Sequence, residues 1–302
     1  MIDLHNHTNY SDGEYTPSVL VEKAARDGLS AIALTDHDCI WGLAEAKRKA
    51  DEMGIEFVPG VELTVKREEN DPSAEIHMLG LFINPTAHLE DIHARVKAEK
   101  DAFAYELAAA MRTYSGIPVD VEDMRRDYRG AISTGAFSAY MVRQGMIMKF
   151  SERKAIMKQL IAEKKMGPKP EFGIPVEEAI EAIHGAGGIA VLAHPYRTEL
   201  GDQALFEKLK DYKAKGLDGM ECYYSKYKEA YTGNLQKSLQ MAEELGLLVS
   251  GGCDYHEDSK DGRYKGNPAI PYQVLADLKE RCPIRKVGFN KLPGAKYGHE
   301  YE

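Results

Sequence analysis

The chain has 302 residues, and 39 Lys and Arg against 48 Asp and Glu give it a formal net charge of −9. This balance argues against a sequence-independent binder of duplex nucleic acid, which needs a basic face, but it leaves small anionic substrates open. No stretch approaches the roughly 18 apolar residues of a membrane span, no secretion signal is apparent, and four widely spaced cysteines are too few for a disulfide scaffold. We therefore expect a cytoplasmic protein with neither a membrane nor duplex nucleic acid as a partner.

Residues 1–85 alternate short apolar strands with helical patterns, which is typical of a parallel sheet with crossover helices. Strands are predicted over 2–5, 30–35, 55–59, 61–65 and 75–83. The first helix begins at a Thr16-Pro17 cap and ends at Gly28, and a second helix ends at Gly54.

Residues 86–172 follow a different pattern, because strands disappear and amphipathic helices take over. Further along, strands are predicted over 189–193, 217–223, 247–251 and 284–287, and helices over 175–184, 202–215, 226–245 and 271–281. About seven strand-helix units favour an α/β fold with a closed or nearly closed barrel. We therefore predict a barrel built from 1–85 and 173–302, with 86–172 inserted as a helical subdomain.

Six histidines and three carboxylates collect at or near predicted strand ends, where parallel α/β folds place their sites. They are His5, His7, Asp12, His37, Glu62, His77, His194, Asp254 and His256. Each has an ordinary alternative role, such as a turn residue, a helix cap or a buried core histidine. Their collection at one rim nevertheless favours a metal site, and imidazoles with carboxylates suit Zn²⁺, Mn²⁺ or Fe²⁺.

Nine such ligands are enough for more than one divalent ion. Paired metal ions lower the pKa of bound water and stabilise both the attacking and the leaving oxygen in a displacement at phosphorus. The sequence contains no GxSxG elbow, no Walker A loop and no GxGxxG fingerprint. These patterns favour metal-assisted hydrolysis over attack by a side-chain nucleophile.

The motifs around these residues resemble those of the PHP (polymerase and histidinol phosphatase) family, in the family's order. They are DLHNHT at 3–8, SDG at 11–13, TDHD at 35–38, GVE at 60–62, HMLG at 77–80, AHP at 193–195 and GCDYH at 252–256. The resemblance covers about 1–85 and 175–260. It implies a distorted (β/α)7 TIM-like barrel, the PHP fold, with a trinuclear metal centre.

The resemblance also implies how three divalent ions (Mn, Zn or Fe) would share the nine ligands. One ion would be held by His5, His7, Glu62 and Asp254. A second would be held by Glu62, His77 and His194, with Glu62 bridging the two ions. The third would be held by Asp12, His37 and His256.

Within the family, the chain length and the helical insert look most like the stand-alone phosphoesterases that act on nucleotides. These include nucleoside 3′,5′-bisphosphate phosphatases and 5′-end RNA exonucleases. One motif departs from that pattern: many nucleotide-acting members carry a Gly-Arg-Pro-His-like motif at the start of an insert helix, whereas this chain has RGAISTGAF at 129–137. The departure concerns the choice of substrate and leaves the metal chemistry intact.

The sequence therefore predicts an enzyme that hydrolyses a phosphomonoester of a small nucleotide, such as a nucleoside 3′,5′-bisphosphate, with metal-bound hydroxide as the nucleophile. Glu62 would bridge two ions, Arg197 would orient phosphoryl oxygens, and His194 or His256 would be the candidate donor of a proton to the leaving oxygen. The alternatives are a histidinol-phosphate phosphatase, a 5′-end oligonucleotide exonuclease, an amidohydrolase and a non-catalytic metal-binding or sensor protein.

Three residues are candidates for contact with substrate. Arg197 follows His194 closely enough for its guanidinium to donate two hydrogen bonds to a phosphate. The alternative is that Arg197 is an ordinary surface arginine. Arg129 lies in a basic cluster of the insert, which a solvated helix face explains equally well. Tyr223 could stack on a base, although core packing is the more frequent role of a tyrosine.

The same two interpretations apply to Trp41 and Tyr224. The remaining histidines are predicted to lie outside the site, at a helix end or on the surface. They are His88, His93, His184 and His299.

Overall fold

A computed structural model describes residues 1–69, 71–224, 231–257 and 269–282, and it leaves out the side chains of 231–233. The strands are β1 Ile2–Asp3, β2 Ala31–Leu34, β3 Glu56–Thr64, β4 His77–Leu81, β5 Ile189–Leu192, β6 Gly219–Tyr224 and β7 Leu248–Gly252. The helices are α1 Pro17–Arg26, α2 Leu43–Met53, α3 Ala87–Ala110, α4 Val121–Asp127, α5 Thr134–Arg143, α6 Phe150–Ala162, α7 Val176–Gly185, α8 Asp202–Ala214, α9 Tyr231–Leu245 and α10 Tyr272–Arg281. The predicted strand at 284–287, the first residues of the predicted helix 226–245 and His299 lie outside the described residues. None of the described helices is long and apolar enough to cross a membrane.

The seven strands form one sheet in the order β1 to β7. Its ends are joined, because the amide of Leu4 donates to the carbonyl of Gly251 at 3.1 Å and Asn6 bridges to Tyr255. The two edges approach closely at Gly252, where a Cβ would collide with His5. The predicted seven-stranded barrel is therefore confirmed.

Two details of the predicted sheet are wrong. The segments predicted as strands at 55–59 and 61–65 are one continuous strand, β3, which pairs with β2 through 56–59 and with β4 through 60–64. In addition, β4 runs antiparallel to both of its neighbours, while the other pairs are parallel. A parallel return needs a crossover, usually a helix, and the residues described between β3 and β4 contain no helix.

The reversal of β4 places its first residue, His77, at the same rim as the carboxyl ends of the parallel strands. Local sequence explains the flanking helices: Thr16 caps α1 by accepting from the amide of Val19, and Gly54 ends α2 with a φ of 70°. These helices hold the strands so that the loops after them meet at one rim.

The second half of α3 and helices α4 to α6 have their own hydrophobic cluster, which includes Phe103, Met124, Phe137 and Leu160. The first half of α3 instead packs on the barrel core through residues such as Ile92. This separation supports the proposed subdomain at 86–172. Along α3, the first half packs on the barrel core and the second half packs on the cluster of the insert.

One buried ion pair fastens α3 to the barrel: Nζ of Lys100 lies 2.7 Å from Asp38. Both side chains are almost fully buried, and Asp38 also accepts from the amide and the hydroxyl of Thr64 at 2.7 Å each. The insert is thus connected to the loop that follows β2, which carries His37.

Candidate metal centre and active site

The barrel rim brings together the nine residues predicted as metal ligands. Three groups have potential ligand atoms within 4.8 Å of one another. They are His5, His7, Glu62 and Asp254; His7, Asp12, His37 and His256; and His37, Glu62 and His77. Because His7, His37 and Glu62 each belong to two groups, the groups form one continuous cluster.

Glu62 lies at the centre of this cluster. Its Oε2 is 3.2 Å from Nε2 of His5, 3.2 Å from Nε2 of His7 and 3.1 Å from Nδ1 of His37. Its Oε1 is 3.0 Å from Nδ1 of His77 and 2.9 Å from Nε2 of His194. A single carboxylate therefore contacts five imidazoles, which is the position that a bridging ligand requires.

Several ligand atoms of the cluster are buried close to one another, yet they form no hydrogen bond among the described residues. They are Nε2 of His5, Nε2 of His7, Oδ1 of Asp12, Nδ1 of His37 and Oε2 of Glu62. Buried polar atoms are normally satisfied, since leaving one unpaired is costly. Because these atoms are imidazole nitrogens and carboxylate oxygens that converge, the residues fit divalent metal ions.

The grouping in the structure supports most of the ligand sets implied by the resemblance. The set of His5, His7, Glu62 and Asp254 is the same, and the set of Asp12, His37 and His256 gains His7. In the set around His77, the structure places His37 beside Oε2 of Glu62, while His194 contacts Oε1, the same oxygen that His77 contacts. His194 therefore stays a proposed ligand that reaches the cluster through Glu62.

Residues behind the cluster orient it, and the sequence motifs did not predict them. Glu221, fully buried in β6, lies 3.0 Å from Nδ1 of His5 and accepts from the amide of His194 at 2.7 Å. Asp36 accepts from the hydroxyls of Thr8 and Ser11 at 2.6 and 2.7 Å. An acidic residue inside the apolar strand pattern at 219–224 was the available signal for Glu221.

The electrostatics of the rim favour bound cations. Burial alone would raise the pKa of the Glu62 carboxyl, but the adjacent histidines hold it well below its usual range. Burial lowers the pKa of His37 to about 3 and also lowers that of His194. Burial alone would lower the pKa of His7, yet contacts with Asp254 and Glu62 raise it to about 9. Ionised carboxylates and neutral imidazoles are the forms that bind metal, so a bound ion would displace the proton that His7 holds in the metal-free site.

Three residues at the rim adopt a positive φ, which residues other than glycine rarely do. The φ angles are 52° for Asp38, 28° for His194 and 48° for Asp254. Such backbone strain persists only where the surroundings enforce it, and it gathers at functional sites. It turns the side chains of two proposed ligands toward the cluster.

A cavity of about 1090 Å³ opens over this rim and extends to the insert. Asp12, His37, His77 and His256 line it on the barrel side, and residues of α3, α5 and α6 line it on the other. The insert reaches the cluster directly, because the hydroxyl of Ser133, the N-cap of α5, donates to Oδ2 of Asp12 at 3.0 Å. The volume is at the upper end of ordinary small-molecule sites.

The candidate substrate residues have different positions. Arg197 lines the cavity and is held by Asp254 at 3.0 Å and Glu75 at 2.7 Å. Arg129 does not line it, because its guanidinium lies over the ring of Tyr10 and donates to that hydroxyl at 3.1 Å. These contacts leave Arg197 beside the cluster and keep Arg129 outside the cavity.

Tyr223 is partly buried against hydrophobic core residues, and the structure does not bring it to the cavity. The next residue, Tyr224, lines the cavity and donates to Oδ2 of Asp254 at 2.8 Å. Alternation of side chains along β6 accounts for the difference, because neighbouring residues of a strand point to opposite faces.

Two residues outside the cluster also have defined roles. His93, predicted at the surface, is buried, with Nδ1 2.8 Å from the carbonyl of Asp38. Its ring packs on Trp41 with centroids 4.3 Å apart. Trp41 therefore packs against the insert helix α3. The prediction that His93 lies on the surface is wrong, because α3 packs on the barrel and buries this side chain.

Comparison with known proteins agrees with this geometry. A model of the PHP domain matches residues 3–299. The 3′,5′-nucleoside bisphosphate phosphatase of Chromobacterium violaceum is 30% identical over 93% of this chain and 97% of its own, and the 5′-3′ exoribonuclease of Haemophilus influenzae is 32% identical over 84% and 89%. A solved structure described as a metal-dependent phosphoesterase, from Bifidobacterium adolescentis, has a TM-score of 0.74 at 27% identity and covers 92% of this chain and 94% of that one. The chain therefore belongs to the PHP domain family, and it is a metal-dependent phosphoesterase.

Proposed function

We propose that the enzyme hydrolyses a phosphomonoester of a small nucleotide, similar to a nucleoside 3′,5′-bisphosphate, at a centre that holds three divalent ions. The observation that supports this most strongly is the single continuous cluster at the rim, in which three candidate ion groups share His7, His37 and Glu62. Similarity to the Chromobacterium violaceum phosphatase supports the choice of substrate.

The residues of the cluster would each bind one or two of the three ions. Glu62 would bridge two ions, with His5, His7 and Asp254 on one side and His77 with His194 on the other. Asp12, His37 and His256 would hold the third ion beside the insert. When bound, divalent ions supply an activated water nucleophile and stabilise the charge on the phosphoryl oxygens.

Arg197 would position the reacting phosphate. Its guanidinium is held at both ends by Glu75 and Asp254, so that its orientation is set before substrate binds. The remaining N–H groups of the guanidinium can donate to a phosphoryl oxygen. Of the two histidines proposed to protonate the leaving oxygen, His256 lines the cavity.

A screen of phosphate release with Mn²⁺ present tests this proposal. Adenosine 3′,5′-bisphosphate, adenosine 5′-monophosphate, histidinol phosphate and short 5′-phosphorylated oligoribonucleotides would be compared by kcat/KM. We expect the bisphosphate to be the best substrate. A preference for histidinol phosphate, or release of mononucleotides from the oligomers at a higher kcat/KM, would overturn the proposal.

The 5′-end exonuclease is the second candidate function, because the Haemophilus influenzae relative is named an exoribonuclease. The cavity of about 1090 Å³ between the barrel rim and the insert is large enough to hold a small nucleotide.

A further inference from the structure

Arg153, on the first turn of α6, lies on the wall of the cavity opposite the metal cluster's rim residues and is only 4% exposed. Its Nε donates to the hydroxyl of Ser138 at 2.9 Å, and its Nη1 lies 3.6 Å from the sulfur of Met157. Neither partner carries a charge. A guanidinium cannot be deprotonated in a protein, so Arg153 brings a full positive charge into this wall.

Two other cations of the cavity, Arg197 and Lys100, are neutralised by carboxylates, and Arg153 is not. Arg197 is paired with Glu75 and Asp254, and the buried Lys100 is paired with Asp38. No carboxylate of the described chain comes within 4.0 Å of Arg153, and burial is the one cause that lowers its pKa. A buried and unpaired charge is strongly unfavourable unless an anion arrives to pair with it.

The surrounding wall is suited to an anion. Between 86 and 172, the described residues that line the cavity include five basic side chains and no acidic one. The basic residues are Lys100, Arg153, Lys154, Lys158 and Lys169. The acids of the lining, Asp12, Glu75 and Glu199, all belong to the barrel side.

The spacing along α5 separates this wall from the metal cluster. Ser133 at the start of the helix contacts Asp12, and Ser138 contacts Arg153. Five residues of helix span about 7.5 Å. A single phosphate bound at the metal cluster is too small to reach Arg153 as well. A ligand that contacts both the cluster and Arg153 must therefore carry two anionic groups.

We propose that Arg153 binds a second, non-reacting phosphoryl group of the substrate and thereby selects doubly phosphorylated nucleotides over monophosphates. This inference rests on the proposed function, since the first phosphate is the one hydrolysed at the cluster. Ser138 keeps the guanidinium in place from behind, which leaves its remaining N–H groups for the anion.

The test is the ratio of kcat/KM for adenosine 3′,5′-bisphosphate to that for the adenosine monophosphate, 3′ or 5′, that carries the same scissile ester, measured on the Mn²⁺-loaded enzyme. Arg153→Met should lower this ratio about 10- to 100-fold, because a charge-assisted hydrogen bond to the second phosphate is lost. Arg153→Lys, which keeps the positive charge but loses the bidentate guanidinium, should lower this ratio less. The control is Arg126→Met, an 81% exposed arginine of the same insert, which should leave the ratio unchanged.

The possible results are distinct. An unchanged ratio in Arg153→Met, with the wild type preferring the bisphosphate, overturns the inference and leaves the proposed function standing. A wild type that cleaves neither nucleotide overturns both. If Arg153→Met does not fold, Arg153→Lys decides: a wild-type ratio in that variant, together with a loss of folding in Arg153→Met, assigns Arg153 a structural role.

Discussion

The carboxylate of Glu221 lies 3.0 Å from Nδ1 of His5, and both side chains are fully buried. This contact fixes the imidazole so that its Nδ1 donates and its Nε2 points to Glu62 at 3.2 Å. The same carboxylate accepts from the amide of His194. Glu221 thus orients two proposed ligands from behind the cluster, as carboxylates commonly do behind metal-binding histidines.

Replacing Glu221 by Gln should weaken metal binding by about 10- to 100-fold, because the amide is a poorer acceptor for the His5 ring. Competition with a chelator, followed by metal analysis, measures this change. Glu181→Gln, on the exposed face of α7, is the matched control and should bind metal as the wild type does. Equal metal affinity in Glu221→Gln and the control would contradict the orienting role.

Glu62→Gln should abolish the bridge between two ions. We expect kcat/KM for phosphate release to fall at least about 100-fold, since Glu62 contacts five imidazoles at the centre of the cluster, whereas Glu221 lies behind His5. Metal content per chain should fall with it. Near-normal turnover with full metal content would rule out the bridging assignment.

Gly135→Ala should disturb the ion site beside the insert. A Cβ at this position would lie 2.5 Å from Oδ2 of Asp12, so the carboxylate or the start of α5 must move. We expect lower metal affinity and lower activity in a folded protein, measured by metal analysis and circular dichroism. Gly185→Ala, where a Cβ meets nothing within 4 Å, should preserve both properties. Full metal content in Gly135→Ala would show that Asp12 is not held by this close approach.

His184 should titrate at a higher pH than a free histidine. Nε2 of its ring lies 2.8 Å from Asp218, and this hydrogen bond raises its pKa above 6.5. Protonation therefore favours the folded state: the contribution of the pair is complete below about pH 6.5 and is lost as the pH rises through the raised pKa. An NMR titration should show the midpoint falling in Asp218→Asn. A midpoint that is the same in both proteins would remove this pair as a source of pH-dependent stability.

The proposed metal ligands were predictable from the sequence because they lie at or near the ends of predicted strands. Glu221 was missed, because a lone acid inside an apolar strand also reads as an ordinary alternating residue. Arg153 was missed for a similar reason, since it sits among exposed lysines and nothing local shows that α6 turns it inward. The direction of β4 depends on the connection before it, and local periodicity does not encode direction.

The most direct test of the central claim is the number of ions bound per chain when activity saturates. Mn²⁺ would be titrated into metal-stripped protein, with phosphate release from adenosine 3′,5′-bisphosphate and bound metal measured in the same samples. A centre built on the shared residues His7, His37 and Glu62 predicts three ions per chain at full activity. Full activity with a single bound ion, or activity in the metal-free protein, would contradict it.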